Sequence, residues 1–198
     1  MASTKKLDLY KTFAADYATP RAPTLVEPHP AQYLAIEGRG EPGGLAFTTR
    51  LGLLYNVAFT IKMRSKFAGQ DYAVCKLEAL WPTNVFRLPR NQWRWKLAIR
   101  VPDCIGAEEL AAALATLRER RKSADAARVR LETIDEGRCV QMLHVGPYDK
   151  ESETVALMTE FAREKGLAFH GQHHEIYLSD PRRVEPARLR TILRHPVR

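Results

Sequence analysis

The sequence predicts an α+β fold in which two β-α-β-β units are related by a pseudo-two-fold axis, with an antiparallel sheet, helices on one side of it and a central ligand cleft. Three observations predict it. Stretches with apolar residues at steps of three and four alternate with short strand-like runs bounded by Gly, Pro and Asn. The order of these elements occurs twice. Both repeats close on an apolar-Arg-x-Pro run, Ile99-Arg100-Val101-Pro102 and Leu193-Arg194-His195-Pro196.

Residues 1–30 are expected to form a helix and a linker ahead of the domain. Leu7, Tyr10, Phe13 and Tyr17 have helical spacing over 1–18, and four prolines between Thr19 and Pro30 favour extended chain. The domain spans 31–197. Its first repeat, about 31–105, has a strand at 32–36 and a turn-rich loop over 37–44. A helix follows, with Phe47, Leu51, Leu54, Tyr55, Ala58 and Ile61 on one face, and then strands at 72–81 and 93–101. A connecting helix covers 106–123, with Glu108 and Glu109 in its first turn and arginines at its end, the polarity that suits the helix dipole. The second repeat, about 128–197, has strands at 128–133 and 138–145, a helix carrying Thr154, Val155, Met158, Phe161 and Ala162 on one face, and strands at 173–178 and 188–195. Glu78 and Glu175 precede the two arginines by 22 and 19 residues and are read as counterparts.

Composition excludes several classes. The chain has 198 residues, 45% hydrophobic, enough for a packed core. It holds no apolar run of the roughly 18 residues a membrane span needs. Met1 to Tyr10 is polar and lacks the apolar stretch of a signal peptide, so a cytoplasmic protein is expected. Cys75, Cys104 and Cys139 are few, odd in number and far apart, which suits a reducing compartment. The net charge of +8 is uneven: 15 Lys and Arg against 8 Asp and Glu in residues 1–106, and 16 against 15 in 107–198. The basic residues are scattered and no nucleic-acid-binding motif accompanies them, so nucleic acid is not expected as a partner. No phosphate-binding glycine loop, dinucleotide fingerprint or nucleophile elbow occurs, and no cofactor is expected.

His173-His174-Glu175-Ile176-Tyr177-Leu178 is the segment richest in chemistry. Strand alternation puts His173, Glu175 and Tyr177 on one face and His174, Ile176 and Leu178 on the other, which reads as the more apolar. A carboxylate buried there needs a partner or protonates. Glu175 therefore either faces a cavity, meeting a cation or activating water, or pairs with an arginine such as Arg100 or Arg194. Tyr55, Trp81, Trp93, Trp95, Tyr148 and Tyr177 gather near the cleft elements, where aromatic faces would hold a planar ligand or a cation. His170, His173, His174 and Glu175 lack the spacing of a metal set, since neighbouring histidines on a strand point apart.

Longer motifs then become visible. Gln141-Met142-Leu143-His144-Val145-Gly146-Pro147-Tyr148, His173-His174-Glu175-Ile176-Tyr177-Leu178-Ser179-Asp180-Pro181 and Thr191-Ile192-Leu193-Arg194-His195-Pro196-Val197 resemble the signature segments of GyrI-like proteins. Leu54-Tyr55, Thr60-Ile61-Lys62 and Leu77-Glu78-Ala79-Leu80-Trp81 are similar to segments of the same family, which departs from this chain at Ala79 and Pro82, where a glycine and often a second tryptophan are expected. The resemblance implies the duplicated fold shared with ligand-binding domains of multidrug-responsive transcription activators. It also implies a pocket for hydrophobic, aromatic and often cationic compounds, with Glu175 at its floor. Glu175, Tyr177, Tyr55, Trp81, Tyr148 and His144 are the expected ligand-binding residues. Some stand-alone relatives hydrolyse cyclopropane-bearing alkylating natural products, which would cast Glu175 and Tyr55 as catalytic. Three functions follow as expectations: a small-molecule-binding protein, such a hydrolase, or an inhibitor that acts on a protein partner. A homodimer is compatible with each.

Overall fold

The computed structural model describes residues 6–83, 85–120 and 124–198. The elements in chain order are α1 (Leu9–Thr12), β1 (Thr24–Val26), β2 (Ala31–Arg39), α2 (Leu45–Phe67), β3 (Glu78–Pro82), β4 (Arg94–Arg100), α3 (Ala107–Glu119), β5 (Arg130–Ile134), β6 (Cys139–Val145), α4 (Glu151–Glu164), β7 (Gln172–Tyr177) and β8 (Arg190–Pro196). The strands form one eight-stranded sheet in the order β1-β6-β8-β7-β3-β4-β2-β5. Every pairing is antiparallel. The two units, β2-α2-β3-β4 and β6-α4-β7-β8, meet where β3 pairs with β7. The flanking strands are exchanged: β1 pairs with β6 of the second unit, and β5 with β2 of the first.

Local chemistry sets the element ends. The Glu109 carboxylate accepts from the Gly106 N–H at 2.7 Å, which caps α3, and Arg118 stands in its last turn. Gly166, at φ +68°, stops α4, and the Leu167 N–H closes back on Ala162 O at 2.8 Å. The face that carries Leu34, Ile36, Leu97 and Ile99 packs under α2, whose Leu54, Val57, Ala58 and Ile61 are buried in the same cluster. On the second unit Val140, Met142 and Leu193 lie under Met158 and Ala162 of α4. Both long helices therefore cover one side of the sheet.

Three expectations differ from the structure. The helix expected over 1–18 is a single turn, α1, capped by Asp8 accepting from the Tyr10 N–H at 3.1 Å; residues 1–5 lie outside the described residues. The aromatic spacing serves another purpose, because Tyr10, Phe13 and Tyr17 cover Ile176 and Ile192 on the sheet face away from the helices. The strand expected at 72–81 begins only at Glu78, since Tyr72 and Cys75 are buried by irregular chain that packs against Leu9. A strand, β1, occurs within the proline-rich segment. Residues 121–123, at the end of the expected connecting helix, lie outside the described residues.

The face away from the helices is not apolar around His174. His174 Nε2 lies 2.9 Å from Glu78 Oε2 and its Nδ1 3.0 Å from Glu136 Oε2, and Arg194 Nη1 donates to that same oxygen at 2.7 Å. Arg194 Nε donates to Gln141 Oε1 at 2.7 Å, and Arg100 Nη1 to Asp16 Oδ2 at 2.8 Å. Arg100 and Arg194 are true counterparts: each crosses to the first strand of its own unit, opposite Tyr33 and Gln141. Glu78 and Glu175 are not. Glu78 stands opposite Ile176 and Glu175 opposite Ala79, so their side chains leave opposite faces of the sheet.

Candidate functional site

Glu175 leaves the helix-covered face of β7, between Ala79 of β3 and Leu193 of β8. It is 6% exposed. Among the described residues no guanidinium reaches it, and Arg100 and Arg194 are engaged on the opposite face. The Tyr177 hydroxyl donates to Glu175 Oε2 at 2.6 Å, and His173 Nε2 lies 3.6 Å from Oε1. The three residues share a face, as the strand period requires. Burial lifts the Glu175 pKa to about 7, against the opposing pull of the Tyr177 hydroxyl and the Trp81 indole. Burial also holds His173 neutral, with its pKa lowered to about 3.

A second carboxyl completes the centre. Glu151, the first residue of α4, is buried against Glu175. Its pKa is pushed up to about 10, first by burial and then by the Glu175 charge. The helix N-terminus would favour the Glu151 anion, but desolvation and the neighbouring carboxylate outweigh it. Above about pH 7 the pair keeps one proton, on Glu151, and the negative charge sits on Glu175. Trp81 Nε1, Glu151 Oε1 and Thr191 Oγ1 are buried and complete no well-formed hydrogen bond among the described residues. All three surround this pair: Trp81 bears on Glu175 and Thr191 on Glu151. The centre thus has a donor, an acceptor and a hydroxyl to offer to a polar group of a guest.

The aromatic residues divide into those that join the centre and those that do not. The Tyr148 ring meets Tyr177 edge-on at 5.7 Å and is 39% exposed, the outermost wall of the site. Trp81 is buried and packs edge-on against Trp93 at 5.7 Å, so Trp93 supplies an aromatic wall that Pro82 does not. Trp95 packs beneath Phe47 and over Gly38, within the core of the first unit. Tyr55 stacks on Phe59 at 6.0 Å, and its hydroxyl bears on the Leu77 backbone and on Asp180 and Arg182 rather than on Glu175. His144 has both ring nitrogens engaged, Nδ1 with Thr154 Oγ1 at 2.8 Å and Nε2 with Pro147 O at 3.2 Å, and so it orders the turn that launches α4.

The expected cleft is closed over Glu175 by these rings. Two open concavities lie elsewhere, one of about 320 Å³ between α2 and α3 near Ser65 and Cys104, and one of about 520 Å³ between the segment around Arg21 and the ends of β6 and β8. Among the described residues no three His, Cys, Asp or Glu side chains are arranged to hold a metal ion, and no helix is long and apolar enough to cross a membrane. Glu151 and Thr191 are not among the site residues expected from the sequence. An acidic residue in the first turn of a helix is ordinary, and nothing local in Lys150-Glu151-Ser152 marks burial.

The architecture defines a class, duplicated β-α-β-β proteins whose two units join in one antiparallel sheet. A family model for the GyrI-like small molecule binding domain matches residues 106–198. The chain is similar, at 36% identity and a TM-score of 0.91, to an uncharacterized conserved protein from Listeria innocua, over 98% of this chain and 100% of that one. It is equally identical, over the same shares and with a TM-score of 0.88, to a hydrolase from Listeria innocua. The C-terminal domain of EcmrR shares the fold at 13% identity and a TM-score of 0.59, over 89% of this chain and 96% of that one. No curated protein sequence matches. Residues 106–198 belong to the GyrI-like small-molecule-binding domain family.

Proposed function

We propose that the protein binds planar aromatic, hydrophobic compounds, cationic ones included, over Glu175. The observation that carries this reading is a buried carboxyl, poised near neutrality, walled by Trp81, Tyr177 and Tyr148. A ligand displaces the Tyr148 ring, the most exposed of the three, and lies against Tyr177 and Trp81. Burying about 200 Å² of apolar ligand surface contributes about 5 kcal/mol before ordering costs, enough for micromolar binding once a charge contact is added. The test is calorimetric titration with the cationic dye acridine orange. Affinity should rise as pH passes upward through about 7, where Glu175 ionises. Glu175→Gln should bind at least tenfold more weakly at pH 8 and without that pH dependence. Equal binding by the two proteins would remove the carboxylate from the reading.

A second reading, hydrolysis, is favoured by the Glu151–Glu175 pair and by the similarity to a protein described as a hydrolase. Glu175 takes a proton from water, and the water oxygen bonds to an electrophilic carbon of a strained ring. The ring carbon–carbon bond breaks, its electron pair passes to the departing side, and Glu151 supplies the proton received there. Proton transfer from Glu175 to Glu151 restores the pair. The rate should rise with pH through about 7 and fall near 10, the two limbs of the pair. Incubation with a cyclopropane-bearing alkylator, followed by mass spectrometry, reads the water adduct. Glu151→Gln should bind the compound but slow turnover at least a hundredfold. Adduct formation at the buffer rate by the wild type would end the hydrolase reading while leaving the binding reading intact.

A further inference from the structure

We infer that the outer face of α2 is a self-pairing surface, on which two copies of the chain associate antiparallel about a two-fold axis at Gly52. This inference is independent of the Glu175 site. Leu45, Gly52, Asn56, Phe59, Met63 and Phe67 follow one another along the side of α2 turned from the sheet. Leu45 is 85% exposed, Phe67 82% and Phe59 52%. Between Leu45 and Ile61 the one charged residue is Arg50, which is half-buried and bears on Asp125. A solvated helix face normally carries charges, and up to Ile61 this one exposes large apolar groups with Arg50 alone among them, the cations Lys62, Arg64 and Lys66 following in its last turns.

Gly52 supplies the second observation. Glycine in the middle of a helix is less favourable than alanine. A Cβ built at Gly52 meets nothing within 4 Å, so nothing inside the chain requires the glycine. Close approach of another backbone does require it. The pattern is also self-complementary about this point, as an isologous interface must be. Leu45 and Phe59 lie seven residues either side of Gly52, so an antiparallel pair sets Leu45 of one copy against Phe59 of the other. The same symmetry carries Met63 toward the segment ahead of the second copy's α2. There Lys66, which also bears on Asp71 of its own chain, comes within a turn of Glu41, and both residues are exposed.

Sedimentation equilibrium of the full chain at increasing concentration tests the association, and cysteine cross-linking tests its geometry. The wild type should show a reversible dimer. Leu45→Glu should weaken it at least tenfold; a carboxylate at the first position of a helix suits the dipole, so this variant keeps its fold, as circular dichroism will read. Gly52→Ala should raise the melting temperature of the monomer while weakening the dimer. In a Cys104→Ser background, Gly52→Cys should oxidise to a covalent dimer, whereas Phe67→Cys, far from its own copy across the axis, should not. A monomer at every concentration, a dimer indifferent to Leu45→Glu, or cross-linking through Phe67→Cys as fast as through Gly52→Cys would overturn the inference. So would adsorption of a monomeric chain to anionic lipid vesicles through this face.

Discussion

Tyr177 sets the acidity of Glu175 from two positions along the same strand. Its hydroxyl donates at 2.6 Å, a short bond to a charged acceptor, and so favours the ionised carboxyl against the burial that opposes it. Tyr177→Phe removes that donor without changing the shape of the wall. The Glu175 pKa should climb further, and the pH midpoint of dye binding should move up by about one unit, the equivalent of about 1.4 kcal/mol. A midpoint that stays near 7 would mean that the phenol is a bystander. This much of the centre was legible in the sequence, because a period of two places His173, Glu175 and Tyr177 together whatever the rest of the fold does. Glu151 was not legible. It arrives from a different element, and only the packing of α4 on β7 and β8 reveals that its side chain turns inward. Tyr55, also expected at the site, lies by its helical spacing on the flank of α2 nearest the sheet centre, where its own helix holds its ring against Phe59.

At the scale of elements, the β5–β6 turn does more than reverse the chain. Glu136 in that turn anchors His174 of β7 and Arg194 of β8 through one oxygen. The network raises the His174 pKa to about 9 from an ordinary 6.5 and lowers that of Glu136 to about 2 from 4.5. A raised histidine stabilises the folded chain fully below about 6.5 and loses that contribution as pH climbs toward 9. A depressed carboxyl stabilises above about 4.5 and loses its contribution as pH falls toward 2. Stability from this network should therefore be greatest between about pH 4.5 and 6.5, with urea midpoints declining on both sides, and His174→Gln should flatten the alkaline decline. Glu136→Gln leaves the buried Arg194 uncompensated and should cost about 3–5 kcal/mol in the same measurement. Strand alternation correctly separated His174 from Glu175, but the character of its face was misjudged. Ile176 and Leu178 follow the histidine on that face in sequence, whereas its partners Glu78, Glu136 and Arg194 come from three distant segments.

On the scale of the whole molecule, the duplication was visible in the paired arginines, and the exchange of β1 and β5 between the halves was not. Three residues among prolines carry little strand signal, and only the vacant edge of β6 recruits them. The segment that includes Asp16 ties both units together: its carboxylate binds Arg100 of the first, and its backbone oxygen accepts from Arg194 Nη2 of the second. Asp16→Asn strips the countercharge from a fully buried Arg100 and should lower stability by about 3–5 kcal/mol, read by chemical denaturation. Since both anchors must exist before this segment can lock, it is among the last parts of the molecule to settle, waiting for the eighth strand. Stopped-flow mixing should then find that Asp16→Asn hastens unfolding and leaves the refolding rate almost untouched, the signature of a latch that closes after the main barrier has been crossed.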